Sequence, residues 1–75
     1  MTLDEFKYSE RKRIGKRIAE LRKKRGLTTA QLAELSGMVQ QSVSRAEQGN
    51  RATTIDVLAK IAAALNVRLD FVENE

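Results

Sequence analysis

The stretch Thr28-Thr29-Ala30-Gln31-Leu32-Ala33-Glu34-Leu35-Ser36-Gly37-Met38-Val39-Gln40-Gln41-Ser42-Val43-Ser44-Arg45-Ala46-Glu47-Gln48-Gly49 holds two short helices and a stop after each. Thr28 and Gln31 have capping-box spacing: a hydroxyl satisfies an orphan backbone N–H, and an amide reaches back to the cap. Leu32, Ala33 and Ser36 then form a narrow inner face. Gly37 ends the first helix, where a left-handed residue costs nothing without a Cβ. The second helix runs from about Gln40 to Gln48 and stops at Gly49-Asn50. Val43, Ala46 and part of Glu47 point inward. Gln40, Gln41, Ser44, Arg45 and Gln48 share the opposite face. Two short helices joined by a glycine-containing turn define a helix-turn-helix over residues 29–48. Ala33 must be small where the helices cross, Gly37 must turn, and Val43 must anchor the second helix.

Outward from this unit, Ile14, Ile18 and Leu21 recur at helical spacing and Gly26 follows as a stop. They predict a helix from about Ser9 to Arg25. Residues 1–8 read as an N-terminal extension of a helical core spanning 9–66. Thr2 and Glu5 also have capping-box spacing, and Leu3 and Phe6 extend the apolar stripe, so an earlier start is the alternative. Thr54 is the expected N-cap of a fourth helix, with Asp56 in its favourable first turn. Ile55, Leu58, Ala62 and Leu65 are its expected core stripe. Val57, Ile61 and Ala64 form a second stripe that a monomer would leave partly exposed. In the tail, Val67, Leu69 and Phe71 alternate with Arg68 and Asp70, which is strand spacing. A lone strand leaves its backbone groups unpaired. No second strand is visible, so residues 67–73 are expected to pair with the same segment of another copy.

The chain has 75 residues, enough for one domain. A chain this short buries only about 60% of the surface its unfolded form exposes. It has no Cys and no His. That removes disulfides, thiolate metal sites, the commonest metal ligand and the commonest general base. Oligomerisation is the remaining support for a small core. No apolar run is long enough to span a membrane, and the polar, acidic-first N-terminus does not read as a signal peptide. A cytoplasmic location is expected. Acidic residues are scattered and no cofactor motif occurs, so neither a cofactor nor enzymatic activity is expected.

Charge is unevenly spread. Residues 1–25 hold 10 basic and 4 acidic side chains, net +6, while residues 26–75 hold 4 basic and 6 acidic, net −2. Arg11, Lys12, Arg13, Lys16, Arg17, Arg22, Lys23, Lys24 and Arg25 crowd one segment. Such a stripe either forms a solvated helix face or concentrates a polyanion, of which nucleic acid is the obvious one. A basic amphipathic helix for membranes is a weaker reading, because its apolar face is only Ile14, Ile18 and Leu21.

Residues 14–67 resemble the phage Cro/CI-type repressor domain, the XRE-type helix-turn-helix family. The matching stretches are IGKRIAELRKKRGL (14–27), QLAELSG (31–37), QQSVSRAEQG (40–49) and VLAKIAAALNV (57–67). The resemblance implies an all-α, lambda-repressor-like bundle of four or five helices that binds double-stranded operator DNA as a homodimer. It places Gln40, Gln41, Ser44 and Arg45 at base edges. A Gln amide pairs bidentately with adenine, Ser44 serves any base with an available edge, and Arg45 pairs with guanine or holds a phosphate. It places Thr29, Gln48, Asn50 and Arg51 at phosphates. Thr29 stands where many relatives carry Gln and has shorter reach. The resemblance also implies a partly buried ion pair between Arg22 and Glu47.

Two departures stand out. Val39 occupies a position commonly filled by a capping Ser or Thr. It either leaves the recognition helix poorly capped or packs a thymine methyl. Arg68 replaces the Ser that caps a fifth helix in many relatives, so a strand at 67–73 is favoured over that helix. The expected dimer interface is Val57, Ile61, Leu69 and Phe71. Together these features predict a homodimeric transcriptional repressor. The alternative is an antitoxin that binds a cognate toxin and represses its own operon.

Overall fold

A computed structural model describes residues 1–74. Four helices follow in order: α1 Leu3–Lys24, α2 Thr29–Ser36, α3 Gln40–Glu47 and α4 Ile55–Leu65. No strand occurs among the described residues. The all-α expectation holds, with four helices rather than five.

Local chemistry sets the helix ends. Thr28 and Gln31 form the full capping box: Thr28 Oγ1 accepts from the Gln31 N–H at 3.1 Å, and Gln31 Oε1 accepts from the Thr28 N–H at 2.8 Å. Gly37 closes α2 in the left-handed region. Thr54 caps α4 by accepting from the Val57 N–H at 3.3 Å. Val39 precedes α3 with extended backbone but no side-chain cap.

The first helix begins at Leu3, so residues 1–8 are not a separate extension. Thr2 caps it by accepting from the Glu5 N–H at 3.1 Å. The capping box there is incomplete, because the Thr2 hydroxyl donates to the Glu5 carboxylate instead of that carboxylate reaching the cap's N–H. Asp4 and Glu5 in the first turn and Arg22, Lys23 and Lys24 in the last complement the helix dipole. Leu3 and Phe6 nevertheless remain exposed. These turns ride on the packed part of α1 and contribute no core.

Leu32, Val43, Ile61 and Leu65 are fully enclosed, joined by Ile18, Ala33 and Ala46 in one core. Ile14, Leu21, Leu27, Met38, Val57, Leu58, Ala64 and Val67 pack around it. Gly15 is buried where α1 crosses the end of α3. A Cβ there would stand 2.6 Å from the Ala46 carbonyl oxygen and nearer still to that of Glu47. The crossing therefore demands glycine.

Three expectations are corrected. Ile61 is 1% exposed and belongs to the core, so it has no surface to offer a second copy. Ile55, expected in the core, is 66% exposed, because it lies in the first turn of α4 at the mouth of a groove beside α1. Val57 and Ala64 stay partly exposed, as a second stripe should, with their buried parts against the core. Leu58, Ile61, Ala62 and Leu65 are thus the inward positions, and the packing of α2 on α4 selects this face over the neighbouring one. In the single chain, residues 67–74 form neither a strand nor a fifth helix. The described tail has no strand beside it to satisfy its backbone.

Candidate nucleic-acid interface

The second helix of the motif is anchored from behind. Val43 and Ala46 are buried, which fixes its roll and turns Gln40, Gln41 and Arg45 outward, with Ser44 half-buried beside them. Gln48, just past the helix, is also exposed. The structure thus brings together all four residues expected at base edges.

Gln40 is not free to wander. Its Nε2 donates to Thr29 Oγ1 at 2.8 Å, tying the start of α3 to the start of α2. Its second amide hydrogen and its carbonyl oxygen remain available, the pair that adenine N7 and N6 require. This bond gives Thr29 a role that sequence reading missed: its hydroxyl positions Gln40. Nothing in residues eleven apart signals such a contact before the fold is known.

The turn after α3 folds back beside it. Ala52 and Thr53 share a shallow recess with Ser42, Arg45 and Val57. Val57 therefore backs this turn and does not line the groove between α1 and α4. Asn50 Oδ1 accepts from the Ala52 N–H at 2.7 Å, an Asx turn. That leaves the Asn50 amide nitrogen as its donor for a phosphate. Arg51 is exposed at the same turn. The Asx turn was legible in principle, since Asn two residues before a loop N–H is its usual signature.

Glu47 faces inward and meets Arg22, as expected. Arg22 Nε donates to Glu47 Oε2 at 2.6 Å, and a second guanidinium nitrogen donates to Oε1 at 3.1 Å. The third guanidinium nitrogen donates to the Leu27 carbonyl at 2.9 Å, a contact the sequence did not announce. The side chains are 12% and 13% exposed. The hydrogen bonds it donates to the Glu47 carboxylate raise the Arg22 pKa above its usual value. This pair ties α1 to the recognition helix and is structural.

The remaining basic side chains of α1 divide. Arg13 is held by Glu10 through two hydrogen bonds, 2.7 and 3.0 Å, which also lower the Glu10 pKa. Arg13 and Arg17 line a groove of about 720 Å³ between α1, α4 and the tail, with Leu58, Leu69 and Phe71. Among the described residues, no cluster of potential metal ligands occurs, and no helix is long and apolar enough to cross a membrane.

Comparison with known proteins identifies the family. The helix-turn-helix family model matches residues 18–72. An HTH-type transcriptional regulator of Sinorhizobium fredii is 40% identical over 57 residues, covering 76% of this chain and 74% of that protein. An HTH-type transcriptional regulatory protein of Pyrococcus furiosus is 43% identical over 47 residues, which is 63% of this chain but only 15% of that protein. The crystal structure of the restriction-modification controller protein C.AhdI from Aeromonas hydrophila superposes with a TM-score of 0.74 at 34% identity, covering 81% of this chain and 88% of that one. With its capped α2, its outward-facing α3 and these matches, the chain belongs to the Cro/CI-type helix-turn-helix family of DNA-binding transcriptional regulators.

Proposed function

We propose that the chain is a homodimeric repressor that reads a roughly palindromic operator with α3 in the major groove. The observation that carries this is the Gln40–Thr29 hydrogen bond beneath the exposed Gln41 and Arg45. It holds an adenine-reading amide at the start of a helix whose back is locked in the core. Two such helices about 34–36 Å apart enter successive major grooves on one face of the duplex. Repression follows from occluding polymerase.

Dimerisation is supported by the groove between α1 and α4. Ile55 is 66% exposed at its mouth, and Phe71, on its lining, stands in solvent. A second copy covering this face would bury them. Leu69 and Phe71 stay in the proposed interface, Ile55 joins them, and Ile61 and Val57 leave it. The likeness to C.AhdI, a restriction-modification controller protein, supports a regulatory role. The antitoxin alternative rests on the exposed Leu3, Phe6 and Tyr8 as a surface for a toxin.

The test is selection from a random duplex pool. An enriched palindrome with half-sites one helical turn apart is expected. Replacing both Gln40 and Gln41 with Ala should abolish that preference and keep salt-sensitive nonspecific binding. An unaltered preference would remove α3 as the reading element.

A further inference from the structure

The basic segment of α1 is too far along the chain from the recognition helix for sequence alone to relate the two. The fold relates them at one point. Gly49, at the start of the turn after α3, packs directly on the backbone of α1. A Cβ there would stand 3.1 Å from the Arg11 carbonyl and from the Lys12 nitrogen. Arg11 and Lys12 thus flank the turn that carries Asn50 and Arg51.

Most of the other arginines of α1 are already engaged. Arg13 is bound to Glu10, Arg22 to Glu47 and Leu27, and Arg25 to the Leu21 carbonyl. Arg17 lines the apolar groove. Arg11 is different: its Nε is buried and has no hydrogen-bond partner, the one such side-chain atom among the described residues. The Arg11 Nε–H therefore lacks an acceptor in the free protein. Lys12 is exposed, and its ammonium stands 5.7 Å from the centre of the Tyr8 ring. That contact favours one placement of a flexible chain.

We propose that Arg11 and Lys12 form a second backbone clamp, which binds a DNA phosphate next to the one reached by Asn50 and Arg51. This rests on the operator-binding reading above. The exposed Lys12 ammonium meets an anionic phosphate oxygen, the Arg11 side chain turns outward to the same anion from a position where its Nε has no acceptor, and the Gly49 packing sets the backbone of both relative to α3. The clamp carries no sequence information. It adds affinity and fixes the angle of the recognition helix.

The test measures binding against salt concentration for the selected operator and for a random duplex. Lys12→Gln should weaken both by the same factor and flatten the slope of log K against log salt by about 1 per protomer, with the preferred sequence unchanged. Lys60→Gln, an equal charge change on the exposed side of α4, should leave the slope within error. Arg11→Gln should flatten it likewise; where its partly buried position compromises folding, Lys12→Gln carries the test. Selective binding with an unaltered Lys12→Gln slope overturns the clamp alone. Equal flattening by Lys60→Gln also overturns it, because net charge then accounts for the effect. No selective binding by the unaltered chain overturns the operator reading and the clamp with it.

Discussion

At the residue scale, two contacts hold α1 on the recognition helix. Gly15 allows the backbones to touch. Gly15→Ala places a methyl group against the Ala46 and Glu47 carbonyl oxygens, which are backbone atoms and cannot swing aside. Destabilisation of about 1–3 kcal/mol is expected, read as a lower urea midpoint. An unchanged midpoint would mean that the crossing is looser than described. The Arg22–Glu47 pair is the second contact. Whole-chain stability is on the order of 4–11 kcal/mol by the per-residue rule. Removing either partner strands a largely enclosed charge at a cost of about 3 kcal/mol, so Arg22→Leu and Glu47→Leu should each remove a large share of that stability. The Arg22→Leu, Glu47→Leu double variant should recover most of that loss. Additive losses in that cycle would show that the two side chains do not depend on each other. The ion pair was reachable from the sequence only through family resemblance, since nothing local links residues 25 apart. The Gln40–Thr29 bond and the unpartnered Arg11 nitrogen were not reachable at all, because both depend on where two elements meet.

At the element scale, α3 has only eight residues. A helix that short does not persist on its own in water, so its capping and its packed back both matter. Val39 supplies extended backbone at the cap but no acceptor, and it is 67% exposed. No packing in the free protein accounts for an apolar residue there, which favours the thymine-methyl reading. Val39→Ser should therefore raise stability by about 1 kcal/mol and weaken operator binding. Thermal melts and binding isotherms on the same preparation separate the two effects. Equal affinity after the change would remove Val39 from the interface. The limits of α2, α3 and α4 were legible because their caps and stops are local chemistry. The start of α1 was less so, since Leu3 and Phe6 extend its stripe without burying it. In α4 the periodicity offered two adjacent stripes. Tertiary packing chose Leu58, Ile61, Ala62 and Leu65, a choice no single-helix pattern contains.

At the scale of the whole molecule, the open side of the bundle is the groove between α1 and α4. Its rim carries apolar side chains on an element that cannot complete its own backbone pairing. The alternation of Val67, Leu69 and Phe71 is strand-like, yet within one chain it has nothing to pair with. Two tails meeting across the proposed dimer would satisfy it. Phe71 is fully exposed in the single chain, so Phe71→Asp should leave the circular dichroism of the isolated fold unchanged. It should convert a dimer to a monomer in sedimentation equilibrium. Leu69→Asp should act in the same direction with a small loss of stability, because Leu69 is 47% exposed. The consequence for DNA follows from linkage of half-sites. In a dimer the second recognition helix binds at a high effective concentration, which multiplies affinity by roughly 10²–10⁴ without any new base contact. A monomeric variant keeps Gln40, Gln41 and Arg45 intact and so keeps its half-site preference. Its affinity for the full palindrome should fall toward that for a single half-site. A Phe71→Asp chain that still sediments as a dimer and binds the palindrome at full strength would place the subunit contact elsewhere on the molecule.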